Sequence, residues 1–173
     1  MFDFQNQVVM ITGAAGNLGS AAVEGFLEAG AHLILTDHKS GRLAEHFPDL
    51  NQVESHMLLD EVNLTDPHST RLALEKAAAQ FQRIDVLINT VGGFTMGNLV
   101  HETDLSEWNR MMNLNALSII NTARAVVPIM LAAGQGVIIN VGARTSLKGK
   151  AKMGAYSASK AAVLSLTESM SAE

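Results

Sequence analysis

Residues 7–19 read Gln7-Val8-Val9-Met10-Ile11-Thr12-Gly13-Ala14-Ala15-Gly16-Asn17-Leu18-Gly19. A short apolar run that ends in a glycine-rich turn predicts a buried parallel strand leading into a helix. Gly13 permits a tight turn, Gly16 lets the backbone approach a pyrophosphate, and Gly19 allows close packing of helix on strand. The start of the helix would offer free N–H groups to the phosphates. The alternative is a purely structural turn.

Composition limits the class of protein. The 173 residues are 47% hydrophobic and 17% charged, with a net charge of −5, which is typical of a soluble globular domain. The sequence has no basic patch of the kind that binds nucleic acid or membranes. Its longest uninterrupted apolar runs are far shorter than a membrane span. The absence of cysteine excludes disulfides and thiol catalysis and fits a cytoplasmic location. The six histidines are never four residues apart, so no metal site is predicted.

Strand-like runs alternate with helical patterns along the chain. The predicted strands are residues 7–12, 32–36, 56–59, 84–89 and 136–141. The predicted helices are residues 19–30, 41–47, 68–82 and 105–131, and Pro128 is expected to kink or loosen the last turn of the long one. This alternation predicts an α/β fold of βαβ units, with helices on both faces of a parallel sheet. One domain spanning residues 1–173 is expected.

Asp37 ends the second predicted strand, 24 residues after Gly13, which is near the spacing of a ribose-binding carboxylate. Its carboxylate can accept hydrogen bonds from both ribose hydroxyls and would repel a 2′-phosphate. The neighbours Thr36 and His38 supply no permanent positive charge, so NAD is favoured over NADP. The alternative is an ordinary Asp that caps the next helix.

The stretch Tyr156-Ser157-Ala158-Ser159-Lys160 places a tyrosine and a lysine one helical turn apart. Residues four apart share a helix face and can act together. A nearby ammonium stabilises a phenolate, which suits this pair to acid/base chemistry near neutral pH. The same spacing also occurs on helices with no catalytic role.

Taken together, the turn, Asp37 and the Tyr156/Lys160 pair resemble the short-chain dehydrogenase/reductase family, from residue 7 to the end of the chain. Residues 89–92, Asn-Thr-Val-Gly, resemble the family motif Asn-Asn-Ala-Gly after strand four. Residues 63–66, Asn-Leu-Thr-Asp, resemble the segment Asp-Val-Thr-Asp after strand three. The resemblance implies a doubly wound parallel sheet, the Rossmann fold, with strand order 3-2-1-4-5 and with the family's C-terminal strands absent.

The resemblance also implies roles for individual residues. In this family the Tyr, here Tyr156, exchanges a proton with the substrate oxygen while hydride moves at the nicotinamide. Lys160 would bind the nicotinamide ribose, and Asn115, at the family's helix Asn, would hold a water that relays protons. The implied substrate is a small alcohol or carbonyl compound. The implied contacts with NAD are Gly13, Ala15, Gly16, Asn17, Leu18, Gly19, Asp37, Asn63, Leu64, Asn89, Val91, Gly92, Tyr156 and Lys160.

One position departs from the family pattern. The family's substrate-binding Ser lies thirteen residues before the Tyr, where this chain has Ala143. Thr145 and Ser146 carry the nearest hydroxyls, and otherwise polarisation of a substrate carbonyl falls to Tyr156 and a backbone N–H. Residues 91–97 and 141–144 are similar to the dihydropteridine reductase branch, but they are too short to carry over its substrate. Four apolar side chains either line a substrate pocket or serve as ordinary packing or loop cover: Phe94, Met96, Leu147 and Met153.

Family members continue past the Tyr/Lys helix through two more strands and a loop that covers the substrate. We therefore expect this chain to be either part of a longer protein or a truncated product, with strand five as an open apolar edge that favours aggregation.

Two functions stay open from the sequence. One is an NAD-dependent oxidoreductase acting on a secondary alcohol or its carbonyl, favoured by the Tyr156/Lys160/Asn115 set. The other is a nucleotide-binding or interaction module with weak or no turnover, favoured by Ala143 and by the missing C-terminal segment. The resemblance also implies a homodimer or homotetramer built from the helices at residues 105–131 and 156–173.

Overall fold

The computed structural model describes residues 3–173, which separate into two compact units. The first unit comprises residues up to 90 together with residues 121–139. The second comprises residues 91–120 and 140–173. The expectation of one domain over residues 1–173 stays a prediction.

The five strands form one sheet in the order β3-β2-β1-β4-β5. Their bounds are β1 Val8–Thr12, β2 His32–Thr36, β3 His56–Leu59, β4 Val86–Asn89 and β5 Val137–Asn140. The predicted α/β class and the predicted strand order are therefore confirmed, and all five strands lie within the runs picked out from the sequence. Each strand was recognisable as a short apolar run bounded by turn residues. Buried parallel strands need no alternation of polar and apolar residues, because both faces of the sheet are covered.

Strand β1 lies between β2 and β4 and is parallel to both. At its carboxyl end Thr12 is in register with Thr36 of β2 and with Asn89 of β4. All five side chains of β1 are buried. The chain order reverses between β1 and β4, and crevices at such switch points, outside the carboxyl ends of the strands, are where open α/β sheets bind ligands.

The core of the first unit joins the sheet to its helices. Val23 of helix α1 (Asn17–Glu28) is buried in one cluster with Val9 and Ile11 of β1 and with Leu33 and Leu35 of β2. The other helices of this unit are α2 Arg42–His46, a 3₁₀ turn Pro48–Leu50, α3 Pro67–Phe81 and most of α5 Ser118–Ala133. Helix α3 begins at Pro67, one residue before the predicted start, because Asp66 caps it by accepting hydrogen bonds from the backbone of His68 and Ser69.

The second unit contains mainly helices. They are a 3₁₀ turn Val100–Glu102, α4 Leu105–Met112, a π-helical turn Asn113–Leu117, α6 Arg144–Leu147 and α7 Gly154–Ala172. The long predicted helix at residues 105–131 thus contains a π turn, and it continues through Pro128 to Ala133. Helix α6 was not predicted, because its four residues show no helical pattern.

By length and composition alone, the helical stretch Leu105–Ala133 is able to cross a membrane, with a mean hydropathy of 1.6 in its most apolar window. Charged residues such as Glu107, Arg110 and Arg124 interrupt this stretch, so it contains no uninterrupted apolar run that would predict a span. The finding is weak support for a membrane span, since core helices of globular domains meet the same criterion. Met111, Ile119 and Val126 of this stretch are buried, which accounts for part of its apolar character.

Candidate active site

The glycine-rich turn between β1 and α1 has the conformation that its sequence predicts. Gly13 has a φ of +62°, in the left-handed region that side chains disfavour. A Cβ added to Gly19 would lie 2.3 Å from the carbonyl oxygen of Gly13, and one on Gly16 would lie 3.2 Å from it. Only glycine therefore allows α1 to start this close to the strand.

Three side chains bond the carbonyl groups of this turn. Thr90 Oγ1 donates to the Thr12 carbonyl at 2.6 Å, Ser20 Oγ to the Gly16 carbonyl at 2.8 Å, and Arg42 Nη2 to the Ala15 carbonyl at 2.9 Å. These bonds satisfy oxygens that would otherwise repel an anion. The sequence pattern did not predict a role for any of these three donors.

The N-terminus of α1 is suited to an anion. Its N-cap is Gly16, which supplies no side-chain hydrogen bond, and its first turn contains no acidic residue. The first N–H groups of a helix have no partner within the helix and carry partial positive charge. The turn and this helix terminus therefore fit the pyrophosphate of a dinucleotide.

Asp37 lies directly after β2 and is only 3% exposed. Its Oδ1 accepts from the backbone N–H of Lys39 at 3.1 Å and its Oδ2 from Arg42 Nη1 at 3.4 Å. The alternative that Asp37 caps the next helix is not supported, because the N-cap of α2 is Gly41 and has no side-chain cap. Arg42 places a permanent positive charge beside Asp37. The sequence neighbours Thr36 and His38 gave no sign of this charge.

The positions after β3 and at the end of β4 make bonds within the first unit. Asn63 Oδ1 accepts from both the backbone N–H and the hydroxyl of Thr65, at 3.0 and 2.8 Å. The Leu64 carbonyl accepts from Asn121 Nδ2 at 2.9 Å. The Asn89 side chain accepts from the Thr122 hydroxyl at 3.2 Å. These bonds fix the loop edges, and contact of these residues with a cofactor stays a prediction.

In the second unit, Tyr156 lies in the first turn of α7. Its ring packs edge-on against Phe94, with ring centroids 5.0 Å apart and an interplanar angle of 76°. Phe94 thereby restricts the orientation of the phenol ring. No residue among 3–173 forms a hydrogen bond with the Tyr156 hydroxyl, which leaves it available to a ligand.

Lys160 follows one turn later on α7 and is only 6% exposed. Its Nζ donates to the Val141 carbonyl at 2.7 Å, and it pairs with no carboxylate among residues 3–173. Burial lowers the pKa of this ammonium from its usual value. A buried cation without a counter-charge is costly, so its presence needs a reason other than stability.

Asn115 is fully buried in the π turn. Its Oδ1 accepts from the Gly93 N–H at 2.8 Å, and its Nδ2 donates to the Gly93 carbonyl at 3.1 Å and to Ser159 Oγ at 2.8 Å. Ser159 Oγ in turn donates to the Tyr156 carbonyl at 2.8 Å. A Cβ on Gly92 would lie 2.7 Å from Asn115 Oδ1 and 3.4 Å from Lys160 Nζ, so glycine is required there.

The structure narrows the choice of hydroxyl near Ala143. Ser146 Oγ donates to the Ala143 carbonyl at 2.5 Å, so its proton is already in use. Thr145 Oγ1 is buried and has no hydrogen-bond partner within the described residues 3–173. For Ser146 to replace the family Ser, its hydrogen bond to the Ala143 carbonyl would first have to break.

The four residues considered for an apolar pocket differ in exposure. Phe94 and Met96 are each 59% exposed and Leu147 is 77% exposed, whereas Met153 is 7% exposed and directly precedes α7. Met153 therefore packs in the interior, as the second alternative held.

Comparisons with known proteins show the family to which the chain belongs. The sequence profile of the short chain dehydrogenase family matches residues 7–173. An uncharacterized oxidoreductase of Staphylococcus saprophyticus is 30% identical over 174 residues, covering all of this chain and 74% of that protein. The 3-oxoacyl-acyl-carrier-protein reductase FabG of Vibrio cholerae is 32% identical over 171 residues, covering 99% of this chain and 68% of that protein.

A solved structure gives the same result. The crystal structure of a short chain dehydrogenase/reductase from Burkholderia phymatum in complex with NAD superposes with a TM-score of 0.89 at 28% identity. The match covers 98% of this chain and 60% of that one. The chain belongs to the short-chain dehydrogenase/reductase family and is by class an oxidoreductase.

Proposed function

We propose that this chain is an NAD-dependent oxidoreductase that interconverts a secondary alcohol and its carbonyl, with Tyr156 as acid/base. The observation that carries the proposal is Lys160, a buried ammonium one helical turn from Tyr156. Among residues 3–173 the ammonium has no carboxylate partner and the tyrosine hydroxyl has no hydrogen bond. A nucleotide-binding module without turnover has no use for such a costly pair. A proton-transfer site does, because the positive charge stabilises the phenolate.

The proposed roles follow from the contacts of each residue. NAD, when bound, supplies the hydride chemistry, and the protein supplies position and charge. The Tyr156 hydroxyl gives a proton to, or takes one from, the substrate oxygen. The Val141 carbonyl holds Lys160 Nζ at 2.7 Å, which keeps the ammonium at a fixed place on α7. The proposed proton relay through Asn115 remains part of this hypothesis.

The cofactor contacts are proposed from the first unit's turn. The N–H groups at the start of α1 would hold the pyrophosphate, and Asp37 would accept hydrogen bonds from the adenosine ribose. NAD is proposed as the better ligand, because Asp37 opposes a 2′-phosphate. Repulsion of this kind costs on the order of 1–3 kcal/mol, or roughly ten- to a hundredfold in affinity.

Calorimetric titration with NAD and NADP tests this preference. NAD should bind more tightly to the unchanged chain, and Asp37→Ala should narrow the gap chiefly by improving the binding of NADP. Equal or tighter binding of NADP by the unchanged chain would contradict the role given to Asp37. Asp49→Ala, at an exposed aspartate in the 3₁₀ turn Pro48–Leu50, is the matched control.

The substrate is proposed to be a small molecule with an apolar surface near its carbonyl. The support is the exposure of Phe94 and Met96, since Phe94 also contacts the Tyr156 ring. Because Ala143 supplies no hydroxyl, polarisation of the carbonyl would depend on Tyr156 and a backbone N–H.

A homodimer or homotetramer in the cytoplasm completes the proposal. Its support is an exposed apolar side chain on each of two helices, since Leu105 of α4 is 76% exposed and Leu131 of α5 is 74% exposed. Light scattering on the purified protein tests the association.

The decisive test of the activity follows the absorbance of NADH with a panel of secondary alcohols and ketones. We expect turnover with at least one pair. Tight binding of NAD with no turnover across the panel would instead favour the nucleotide-binding module.

A further inference from the structure

The segment that leads from β5 into helix α7 is strongly cationic. Residues 144–152, the cationic loop, contain no carboxylate and four positively charged side chains: Arg144, Lys148, Lys150 and Lys152. All four are exposed, and none of them forms an ion pair with a carboxylate among residues 3–173. We propose that the cationic loop binds an anionic group of the substrate, a carboxylate or a phosphate, so that the substrate is an anionic ketone or alcohol.

The positive charge of the loop is local, because the whole chain has a net charge of −5. Residues 108–167 contain seven Lys or Arg residues and no Asp or Glu, so all 17 acidic residues lie outside this stretch. A site of one sign attracts ligands of the opposite charge and speeds their association. An extended polyanion would also meet the acidic remainder of the chain, whereas a small anion meets only the loop.

The cationic loop lies beside the proposed acid/base. The Gly97 N–H donates to the Lys152 carbonyl at 2.9 Å, which ties the loop to the segment that contains Phe94. The Phe94 ring packs against the ring of Tyr156, with centroids 5.0 Å apart. Lys152 and Tyr156 are four residues apart, so their Cα atoms are separated by at most about 14 Å. A substrate whose anionic group is a few bonds from its carbonyl can therefore contact both the loop and Tyr156.

Backbone bonds fix the end of the loop where α7 begins. The Met153 N–H donates to the Lys150 carbonyl at 3.2 Å, and the Ser157 N–H donates to the Met153 carbonyl at 2.8 Å. Lys152 has a φ of +64°, in the left-handed region that residues other than glycine seldom adopt. Backbone in such sparsely populated regions concentrates at functional sites, which supports a role for this part of the loop.

No carboxylate among residues 3–173 offsets the charge of the loop by a direct ion pair. The 3₁₀ turn Val100–Glu102 lies against the start of α7, since a Cβ added to Gly154 would be 2.9 Å from Val100 Cγ2. Glu102 of this turn lies 3.7 Å from His101 and forms no ion pair with the loop. The loop charges are therefore open to an anionic ligand.

The competing interpretation is that these exposed lysines only keep the loop hydrated, as most surface lysines do. Hydrated lysines would not change the rates on charged ketones relative to neutral ones. A binding site would favour the charged compound, and it would lose that preference when the lysines are neutralised. The inference rests on the proposed oxidoreductase activity and deepens it by naming the class of substrate.

The experiment compares two matched pairs of ketones, with the whole chain and NADH. One pair is 5-oxohexanoate and its methyl ester, and the other is dihydroxyacetone phosphate and dihydroxyacetone, so that the pairs distinguish a carboxylate from a phosphate. The absorbance of NADH gives kcat/KM, and calorimetry gives the Kd of each ketone. We expect at least one anion to be favoured over its neutral partner by about tenfold in both quantities, and high salt to reduce this preference.

Variants test whether the preference comes from the loop. The loop variant combines Lys148→Gln, Lys150→Gln and Lys152→Gln. Since each exposed ion pair is worth at most a few-fold, the three changes together should lower kcat/KM for the anion by about tenfold and leave that for the neutral ketone within about twofold. The control variant removes three exposed positive charges of the first unit: Arg71→Gln, Lys76→Gln and Arg124→Gln. It should leave the preference unchanged.

Each remaining outcome is decisive. Equal kcat/KM and Kd for the two members of both pairs would overturn the inference and leave the proposed activity in place. A preference that the loop variant leaves unchanged, or that both variants reduce alike, would also overturn it. Tighter binding of an anion that depends on the loop, without turnover of any ketone, would support the inference and refute the activity. Neither binding nor turnover of all four compounds would overturn both.

Discussion

Asn115 donates a hydrogen bond from Nδ2 to the hydroxyl of Ser159 at 2.8 Å, and both side chains are fully buried. This bond joins the π turn at residues 113–117 to helix α7, which carries Tyr156 and Lys160. On its other side, Asn115 bonds both backbone groups of Gly93. Asn115 and Ser159 are therefore positioning residues for the helix on which the proposed acid/base lies.

We predict that Asn115→Ala destabilises the chain more than Ser159→Ala does. The first change leaves the N–H and the carbonyl of Gly93 without their partner, and each buried unsatisfied group costs about 1–3 kcal/mol. The second removes one hydroxyl, at about 1 kcal/mol. Urea denaturation measures both. The control is Asn109→Ala, at an exposed asparagine of α4, and an Asn115→Ala variant as stable as this control would contradict the assignment.

Much of the fold was predictable because it depends on local pattern. The strands β2 and β3 begin and end where the sequence placed them, and Gly13 adopts the positive φ that its place in the turn implied. The strand order came from the family resemblance and was confirmed. The π turn was not predicted, since nothing in the residues 113–117 distinguishes it from α-helix, although a buried Asn in mid-helix was a sign that the position needed a partner.

The contacts of the site that could not be predicted from the sequence join residues that are far apart in the chain. The bond from Arg42 to Ala15 joins residues that are 27 positions apart in the sequence, so no local pattern predicts it. Thr90 was quoted as part of a motif, yet its bond to the Thr12 carbonyl follows only from the pairing of β1 with β4. Ser159, next to Lys160, could not be predicted as a site residue, because the sequence does not show which partner a serine on a helix contacts.

We predict that Ala143→Ser raises kcat/KM on simple ketones by about tenfold or more, because it restores a donor aimed at the developing negative charge. The Kd for NADH should stay within about twofold, since Ala143 is in the second unit's loop before α6 and no cofactor contact is proposed for it. Ala143→Gly is the control, because it changes size without adding a hydroxyl. An unchanged or lower kcat/KM for Ala143→Ser would mean that the hydroxyl points elsewhere.

The buried Lys160 predicts an unusual dependence of stability on pH. Burial lowers its pKa in the folded state below the usual value of about 10.4, so between these two pKa values the unfolded state binds more protons. The free energy of unfolding therefore rises with pH in that window. Lys160→Met removes this titrating group and the cost of burying its charge, so the variant should be more stable than the unchanged chain at neutral pH. The difference between their free energies of unfolding should shrink toward pH about 10.4.

Urea denaturation from neutral pH upward compares the two proteins. Lys76→Met, at an exposed lysine of α3, is the matched control and should show no such change with pH. A gap between Lys160→Met and the unchanged chain that stays constant or grows with pH would contradict the effect of burial.

Tyr156→Phe tests most directly whether Tyr156 transfers the proton to or from the substrate oxygen. The variant keeps the ring that packs on Phe94 and removes only the free hydroxyl. We expect kcat to fall by at least about a hundredfold while the Kd for NAD, measured by calorimetry, stays within about twofold. Trp108→Phe, an equally conservative aromatic change at a 39% exposed residue of α4, is the control and should retain most of the turnover. A Tyr156→Phe variant with undiminished kcat would contradict the proposed mechanism.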